Sequence, residues 1–159
     1  MLVTRQVKFD PKFINEDIIK TLVEITKKCF ERTSSKEDGI IKRVNYLKRI
    51  VSNEISKTTG HVIFIVELDV DLVYPKVGDV FNMYIIRIDS KAIFVEDDAE
   101  VFKAIVSADN ITDFEFNKTL GTFVNKEHKL QLRLKDKISI IITAMKYENN
   151  MFKYVGKLN

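Results

Sequence analysis

Two long β-patterned segments between Gly60 and Glu96, joined by a short turn, constrain the fold of this chain more than any other feature. In the first segment polar and apolar residues alternate strictly, which places Glu67, Asp69 and Asp71 on one face. This alternation is typical of a strand with one buried face. We expect the three acids to lie on the exposed face rather than around one metal ion, because alternate strand residues are about 6.5 to 7 Å apart.

The turn between these segments predicts a domain boundary. Pro75 has no amide hydrogen for a β-ladder, and Gly78 can adopt backbone angles that are closed to other residues. The first long strand should therefore end before residue 78, and a new element should begin there. We expect an N-terminal domain over residues 1–77 and a C-terminal domain over residues 78–159.

The N-terminal half contains one predicted helix. Asn15 is its predicted N-cap, with Glu16 and Asp17 in the first turn, where the helix dipole favours acids. Apolar residues at helical spacing then predict a buried stripe that includes the single cysteine. The stripe consists of Ile18, Ile19, Leu22, Val23, Thr26, Cys29 and Phe30.

Strands flank this helix on both sides. The pattern predicts them at Leu2–Phe9 and Gly39–Val51, and the polar segment Ser52–Gly60 should reverse the chain into a strand that begins at His61. The resulting order is β-α-β-β, in which a helix packs on a small antiparallel sheet.

The C-terminal half is nearly all β. The predicted strands are Asp79–Ile88, Lys91–Glu96, Val101–Ser107, Lys129–Leu134, Ile138–Tyr147 and Met151–Leu158. In the fourth of these, Leu130, Leu132 and Leu134 should face inward. So many short strands suit a small closed barrel of the OB type, which removes exposed sheet edges. The predicted fold class is α+β, a β-α-β-β domain followed by an all-β OB barrel.

The composition excludes several classes of protein. With 45% hydrophobic and 31% charged residues the chain is typical of a globular protein. We expect no membrane span, because the longest apolar runs fall far short of the roughly 20 residues that a spanning helix needs. One cysteine permits no internal disulfide, and the two separated histidines form no zinc motif. We therefore expect no metal and no cofactor.

Charge is unevenly distributed along the chain. Residues 60–115 carry 4 basic and 12 acidic side chains, whereas residues 125–159 carry 8 basic and 3 acidic ones. The basic C-terminal segment is suited to phosphates, and the acidic middle segment to a basic protein partner. The alternative is that these charges only solvate the exposed faces of strands.

The order and spacing of several short motifs resemble the stalk subunit of multisubunit DNA-directed RNA polymerases, the family of the seventh subunit of RNA polymerase II and its archaeal counterpart. The matching residues are Phe9-Asp10-Pro11, Gly60, Pro75, Gly78-Asp79-Val80, Phe94-Val95-Glu96, Ile105-Val106-Ser107, Glu115-Phe116 and Val155-Gly156-Lys157-Leu158. The resemblance implies a non-catalytic subunit that acts in transcription, with an N-terminal tip domain that docks on the polymerase and an OB barrel that meets nascent RNA.

The resemblance also implies partners and a location. Docking on the largest polymerase subunits would use the tip residues Asn53, Glu54, Ile55 and Lys57, and a fourth-subunit-like partner would bind across the domain joint. The tip segment departs from the glycine-rich form of the family, and lysine, isoleucine and asparagine are abundant. Both features favour a protist or a large DNA virus as the source, and hence the nucleus or, for a virus, the cytoplasmic virus factory and the virion.

Single-stranded RNA binding without sequence preference needs cations along a groove and a few exposed aromatic rings. The resemblance assigns a base-stacking position to Phe94 and places Ile105 where related barrels often have an RNA-contacting histidine. Phe102 and Tyr147 are either further rings or part of the barrel core. The predicted RNA-binding residues are Arg87, Lys91, Phe94, Lys103, Lys146 and Lys153.

Two other functions remain open. One is an OB-fold RNA-binding protein of translation or RNA processing, which would share the barrel but lack the N-terminal tip domain. The other is a nuclease, which would need a nucleophile with a base or a carboxylate cluster for a metal. The densest acids, Asp97, Asp98 and Glu100, lie in one predicted turn without a nearby histidine, and a solvated turn explains them better.

Overall fold

The computed structural model describes residues 1–14, 17–125, 127 and 129–159. Within these ranges the chain is mostly strand and divides into two compact units, Met1–Val73 and Tyr74–Asn159. The predicted boundary lies slightly later, after residue 77, and the assignment of the two parts as a docking domain and an RNA-binding domain stays a prediction. No helix in the described ranges is long and apolar enough to cross a membrane.

The N-terminal unit is a helix and an antiparallel sheet. Its elements are β1 (Leu2–Phe9), α1 (Ile18–Phe30), β2 (Ser34–Ser35), β3 (Gly39–Ile55) and β4 (Val62–Val73), with a 3-10 turn at Pro11–Phe13 between β1 and α1. The strand order is β1-β4-β3-β2, so the alternating strand β4 lies between two neighbours. Its aliphatic face is buried because α1 and the first 3-10 turn pack against that side of the sheet.

Helix α1 begins at a different cap from the predicted one. Asp17 is the N-cap, and its carboxylate accepts a hydrogen bond from the backbone N–H of Lys20 at 3.2 Å. Asp17 therefore does not belong to the first turn, and the predicted cap Asn15 lies outside the described residues with Glu16. The carboxylate satisfies a backbone donor that has no partner within the helix.

The buried stripe of α1 is narrower than predicted. Leu22 and Thr26 are buried, whereas Ile19 is 53% exposed and Cys29 is also exposed. The expectation that Cys29 belongs to the core is therefore wrong. Helical spacing gives the direction of a side chain, but it does not show how far the covering surface extends along the helix.

Strand β3 contains a regular series of β-bulges. Its pairing with β4 slips by one residue after Ile41, Val44, Leu47 and Ile50, so three residues of β3 match two of β4. This repeat explains why apolar residues recur every third position in β3 and every second position in β4. Bulges increase the local twist of a strand, so the series distributes extra twist along the 17 residues of β3.

The hairpin that joins β3 to β4 has a shorter turn than predicted. Pairing continues to the contact of Ile55 with Val62, and the turn closes with a 2.8 Å hydrogen bond from the Ser56 N–H to the carbonyl of His61. The prediction of a polar tip over Ser52–Gly60 is therefore wrong for its first four residues, which belong to the strand. Three of the predicted docking residues, Asn53, Glu54 and Ile55, lie on β3, and Lys57 lies in the turn.

The C-terminal unit is a closed barrel with an added hairpin. Its strands are β5 (Val80–Ile88), β6 (Ala92–Glu96), β7 (Lys103–Ser107), β8 (Glu115–Asn117), β9 (Thr122–Val124), β10 (Lys137–Glu148) and β11 (Met151–Leu158), and a 3-10 turn at Ala108–Asn110 follows β7. The barrel closes in the order β10-β11-β7-β6-β5, and β8 and β9 form the separate hairpin. Only the β7–β11 pair among these described barrel strands is parallel. This topology is compatible with an OB-like fold.

The predicted strand at Lys129–Leu134 is not a strand. Gln131 forms one isolated bridge to Val124, and of the three leucines only Leu132 is buried. Lys129 and Lys135 have positive φ angles of 53° and 70°, so the extended stretch between them is bounded by two sharp reversals. The leucines at 130 and 134 are 58% and 60% exposed and do not face inward as predicted.

Gly156 on β11 lies close to β10. A Cβ atom at this position would lie 3.1 Å from the backbone oxygen of Ile141 and 3.2 Å from Cδ1 of Ile140. A register slip between Ile142 and Ala144 lies next to this contact. A side chain at position 156 would therefore require its neighbours to shift by a few tenths of an ångström, although the backbone angle of Gly156 is an ordinary one.

We expect Gly156→Ala to destabilise the protein by about 1 to 3 kcal/mol, because the new methyl group meets a backbone atom that cannot move without distorting the barrel. The measurement is a lower urea midpoint by circular dichroism. Lys157→Ala, at the exposed neighbouring position, is the control and should unfold close to the wild type. An unchanged midpoint for Gly156→Ala would show that the barrel wall has room for the methyl group.

Candidate functional site

An apolar row crosses the outer surface of the barrel. Phe94 on β6 pairs with Ile105 on β7, Ile105 pairs with Val155 on β11, and Val155 pairs with Ala144 on β10. Ile105 is 42% exposed and Val155 is 37% exposed, whereas their neighbours along each strand are buried. Because side chains alternate between the two faces of a strand, these four residues share the outer face.

A groove of about 480 Å³ follows this row. Its floor includes the four residues of the row together with Met145 and Phe152. Three lysines, Lys103, Lys146 and Lys153, also line it. The groove thus combines an apolar floor with cations, and strands rather than loops hold most of its lining.

Acidic neighbours partly neutralise these lysines. The Glu148 carboxylate lies 3.1 Å from Nζ of Lys153 and 3.5 Å from Nζ of Lys146, and Lys103 lies 3.7 Å from Glu96. The hydrogen bond and charge of Lys153, followed by the hydrogen bond from Lys146, hold the pKa of Glu148 below its ordinary value of 4.5. Glu148 therefore stays ionised at neutral pH, and two lysines share one counter-charge.

The ring of Phe94 is partly covered by a cation. The Arg87 guanidinium lies over it with its central carbon 5.1 Å from the ring centroid, and the same guanidinium lies 3.2 Å from Asp89. This cation–π contact fixes one face of the ring. A flat ligand stacking on Phe94 has to use the other face or displace Arg87.

A chain of aromatic contacts supports one end of the groove. Phe152 contacts Tyr74 with ring centroids 5.4 Å apart, Tyr147 at 4.8 Å and Tyr154 at 5.8 Å. Tyr154 in turn contacts Phe102 at 5.7 Å. The rings pack against one another, so Phe152 is held in place at the groove by its neighbours.

Two of these aromatic residues, Phe102 and Tyr154, belong to the barrel core. Phe102 is 4% exposed, and it is part of the barrel interior rather than an exposed ring for stacking. Tyr154 is 2% exposed, and burial, with a smaller effect of Tyr74, raises the pKa of its phenol to about 12. Its hydroxyl has no hydrogen-bond partner within the described part of the chain. Tyr154 is therefore a neutral group at all physiological pH values.

The structure brings together four of the six predicted RNA-binding residues. Phe94, Lys103, Lys146 and Lys153 line the groove, and Arg87 lies over Phe94 at its border. Lys91 lies in the exposed turn between β5 and β6 and does not line the groove. Sequence reasoning missed Phe152, although it follows the closing hairpin turn and pairs directly with Tyr147.

The acidic row of β4 has cationic and amide partners. Glu67 lies 3.4 Å from Lys48 and 3.5 Å from Arg49, and Asp71 lies 3.0 Å from Arg43. Burial would raise the pKa of Glu67, but the hydrogen bonds and charges of these two cations outweigh it and lower the pKa.

Asp69 and Asp71 also accept hydrogen bonds from the side-chain amide of Asn45. The Nδ2 atom of Asn45 lies 2.8 Å from Asp69 and 2.9 Å from Asp71. The hydrogen bond from Asn45 to Asp71 is the largest cause of the lowered pKa of Asp71. No group of three or more histidine, cysteine, aspartate or glutamate side chains in the described ranges is placed to hold a metal ion. The row therefore serves as one side of a cross-strand ion-pair network.

No protein-family model matches the sequence, and no curated protein matches it. Among solved structures, the apo form of Mycoplasma genitalium RNase R matches with 19% identity and a TM-score of 0.44. The same enzyme in complex with ribose methylated single-stranded RNA matches with the same values. Each match covers 52% of this chain and 13% of the RNase R chain. A similarity of this size does not establish a common fold, and the interpretation of the site depends on its own geometry.

We expect Lys153→Ala to raise the pKa of Glu148 toward 4.5, because it removes the closer of the two cations. The folded-state pKa lies below the unfolded one, so the contribution of these ion pairs is present above the unfolded pKa and is lost as the pH falls through the folded pKa. The measurement is an NMR titration of the side-chain carboxyl carbon. Lys157→Ala is the control, and an unchanged Glu148 pKa in Lys153→Ala would contradict the assigned pairing.

Proposed function

We propose that the barrel binds single-stranded RNA along the groove of the β6, β7, β11 and β10 face. The observation that carries this proposal is the apolar row from Phe94 to Ala144 with lysines beside it. Nucleic-acid binding by OB-type barrels uses the corresponding face, with aromatic rings for the bases and cations for the phosphates.

The composition of the groove favours weak binding. Each stacked base contributes ~1 to 3 kcal/mol. The groove offers Phe94 and Phe152 for this purpose, and Tyr154 already stacks on the Phe152 ring. Glu148 and Glu96 reduce the net charge that phosphates meet. We therefore propose micromolar or weaker affinity, without sequence preference and with a marked dependence on salt.

We further propose that this RNA-binding barrel serves a non-catalytic stalk subunit of a DNA-directed RNA polymerase, as the sequence resemblance implies. The observation that favours a docking role for the N-terminal unit is the apolar surface at the far end of its hairpin. Ile55 is 71% exposed and Val51 is 47% exposed, beside the polar Asn53, Glu54 and Lys57. On this proposal the two exposed aliphatic side chains would become buried against the protein partner.

On this proposal the partners are the largest polymerase subunits, a fourth-subunit-like protein and nascent RNA, and the protein acts in the nucleus or, for a virus, in the virus factory and virion. An RNA-binding protein of translation or RNA processing would use the same groove. The two alternatives differ in the N-terminal unit, which only the polymerase proposal requires as a docking element.

We expect the double variant Phe94→Ala, Lys146→Ala to lose most of its affinity for single-stranded RNA. Removal of one stacked base costs ~1 to 3 kcal/mol. Removal of one phosphate contact lowers the slope of log K against log salt by ~0.7. Fluorescence anisotropy with labelled oligouridylate at several salt concentrations measures both effects.

Two further variants test the same groove: one should leave RNA affinity unchanged, and the other should increase it. Lys91→Ala should bind almost as the wild type does, because Lys91 does not line the groove. Glu148→Gln should bind more tightly, since it releases Lys146 and Lys153 from their shared carboxylate. Nanomolar binding that ignores salt, or a double variant that binds as well as the wild type, would overturn the proposal.

For the docking surface we expect the combined variant Asn53→Ala, Glu54→Ala, Ile55→Ser, Lys57→Ala to lose co-purification with the polymerase from the native source. Substitution is preferable to deletion, because Asn53, Glu54 and Ile55 pair with β4 and their removal would break the register. Tyr46→Ser, at a 54% exposed position earlier on β3, is the matched control. Full co-purification of the combined variant, with an unchanged circular dichroism spectrum, would refute this docking surface.

A further inference from the structure

A second groove adjoins the first on the barrel. It has a volume of about 510 Å³ and lies between β5, the β8–β9 hairpin and the loop before β10. Ile86 lines both grooves, so this residue forms a border that the two grooves share.

The walls of the second groove are apolar and accessible. Leu120 in the β8–β9 turn is 57% exposed, Leu134 before β10 is 60% exposed, and Ile86 is 38% exposed. These side chains can contact the face of a base or the carbon atoms of a ribose. The floor of the first groove, where Ile105 and Val155 are similarly exposed, offers the same kind of surface.

Two arginines line the second groove, and each has a distinct environment. Arg87 lies over the Phe94 ring of the first groove, and its guanidinium forms an ion pair with the Asp89 carboxylate at 3.2 Å. The Arg133 guanidinium has neither an ion pair nor a hydrogen bond to any part of the chain that the structure describes. The nearby Asp136 carboxylate accepts from the backbone N–H of Arg133 at 2.9 Å instead.

We propose that the second groove holds the continuation of the RNA strand bound in the first, with Arg133 contacting a phosphate and Leu134 contacting a base or ribose. This inference rests on the proposed RNA binding of the barrel. Two observations support it: Ile86 lines both grooves, and Arg87 lines the second groove while its guanidinium lies over the Phe94 ring of the first. The planar guanidinium of Arg133 favours a phosphate-bearing strand over an apolar peptide, since it matches phosphate geometry.

The experiment compares two lengths of labelled oligouridylate, a hexamer and a dodecamer, within the range of ~4 to 16 nucleotides that one OB barrel covers. We expect Arg133→Gln to weaken dodecamer binding about fivefold at 0.1 M salt and to lower its salt slope by ~0.7, the value for one phosphate contact on a single strand. Hexamer binding should be unchanged, because the first groove alone holds it.

Two variants complete the design. Leu134→Ser should also weaken the dodecamer selectively, and circular dichroism checks that this change at an exposed position leaves the fold intact. Lys20→Gln, an equal charge change at an exposed position of α1, is the matched control and should bind both lengths as the wild type does. A dodecamer carrying a terminal 4-thiouridine should crosslink to the loop at residues 131–134.

The possible results distinguish a failure of the second-groove proposal from a failure of the proposed RNA binding. If Phe94→Ala weakens both lengths while Arg133→Gln and Leu134→Ser bind the dodecamer as the wild type does, the second groove is not part of the RNA path. A protein partner would then be the remaining candidate occupant of the second groove. The proposed RNA binding in the first groove would still hold. If the wild type binds neither length, the proposed function itself fails.

Discussion

Closure of the barrel by the parallel pairing of β7 with β11 is the constraint on which the candidate site depends. This pairing sets Ile105 beside Val155, and the antiparallel neighbours then add Phe94 on one side and Ala144 on the other. Without this pairing, β6–β7 and β10–β11 would lie at opposite ends of an open sheet joined through β5, each with part of the groove. Gly156 contributes to the same feature, because its small size permits the tight approach of β10 and β11 beside this row.

The lysines of the groove that barrel closure creates already form ion pairs with carboxylates. Lys146 and Lys153 share Glu148, and Lys103 pairs with Glu96, so each of these three lysines already has a carboxylate partner before a phosphate arrives. Exposed ion pairs of this kind contribute little to stability. On the proposed function their larger effect would be on binding, since an incoming phosphate would have to compete with a carboxylate for each ammonium group. The same competition would apply at Arg87, which forms an ion pair with Asp89 beside the Phe94 ring.

Sequence patterns predicted those parts of the structure that depend on one strand at a time. The two-residue period identified β4, because alternation alone decides which face a side chain takes. The bulges of β3 were not predicted, since the extra residue at each bulge is defined only by the partner strand. Leu134 was wrongly assigned to the core because alternation does not reveal the positive φ at Lys135, which ends the extended stretch. Phe152 was missed because its position depends on contacts with other rings.

The proposed weak affinity and the proposed docking role support one another physically. A groove with few stacking rings and partly neutralised cations retains free RNA poorly in dilute solution. A barrel that is held next to emerging RNA by a separate docking surface meets that RNA at an effective concentration of the order of millimolar, as for short flexible tethers. At this concentration micromolar binding is nearly saturated, and release stays fast enough for the strand to advance. Docking through exposed Ile55 at the end of the N-terminal hairpin would then raise the local RNA concentration. That increase would compensate for the weak affinity of the groove that contains Phe94.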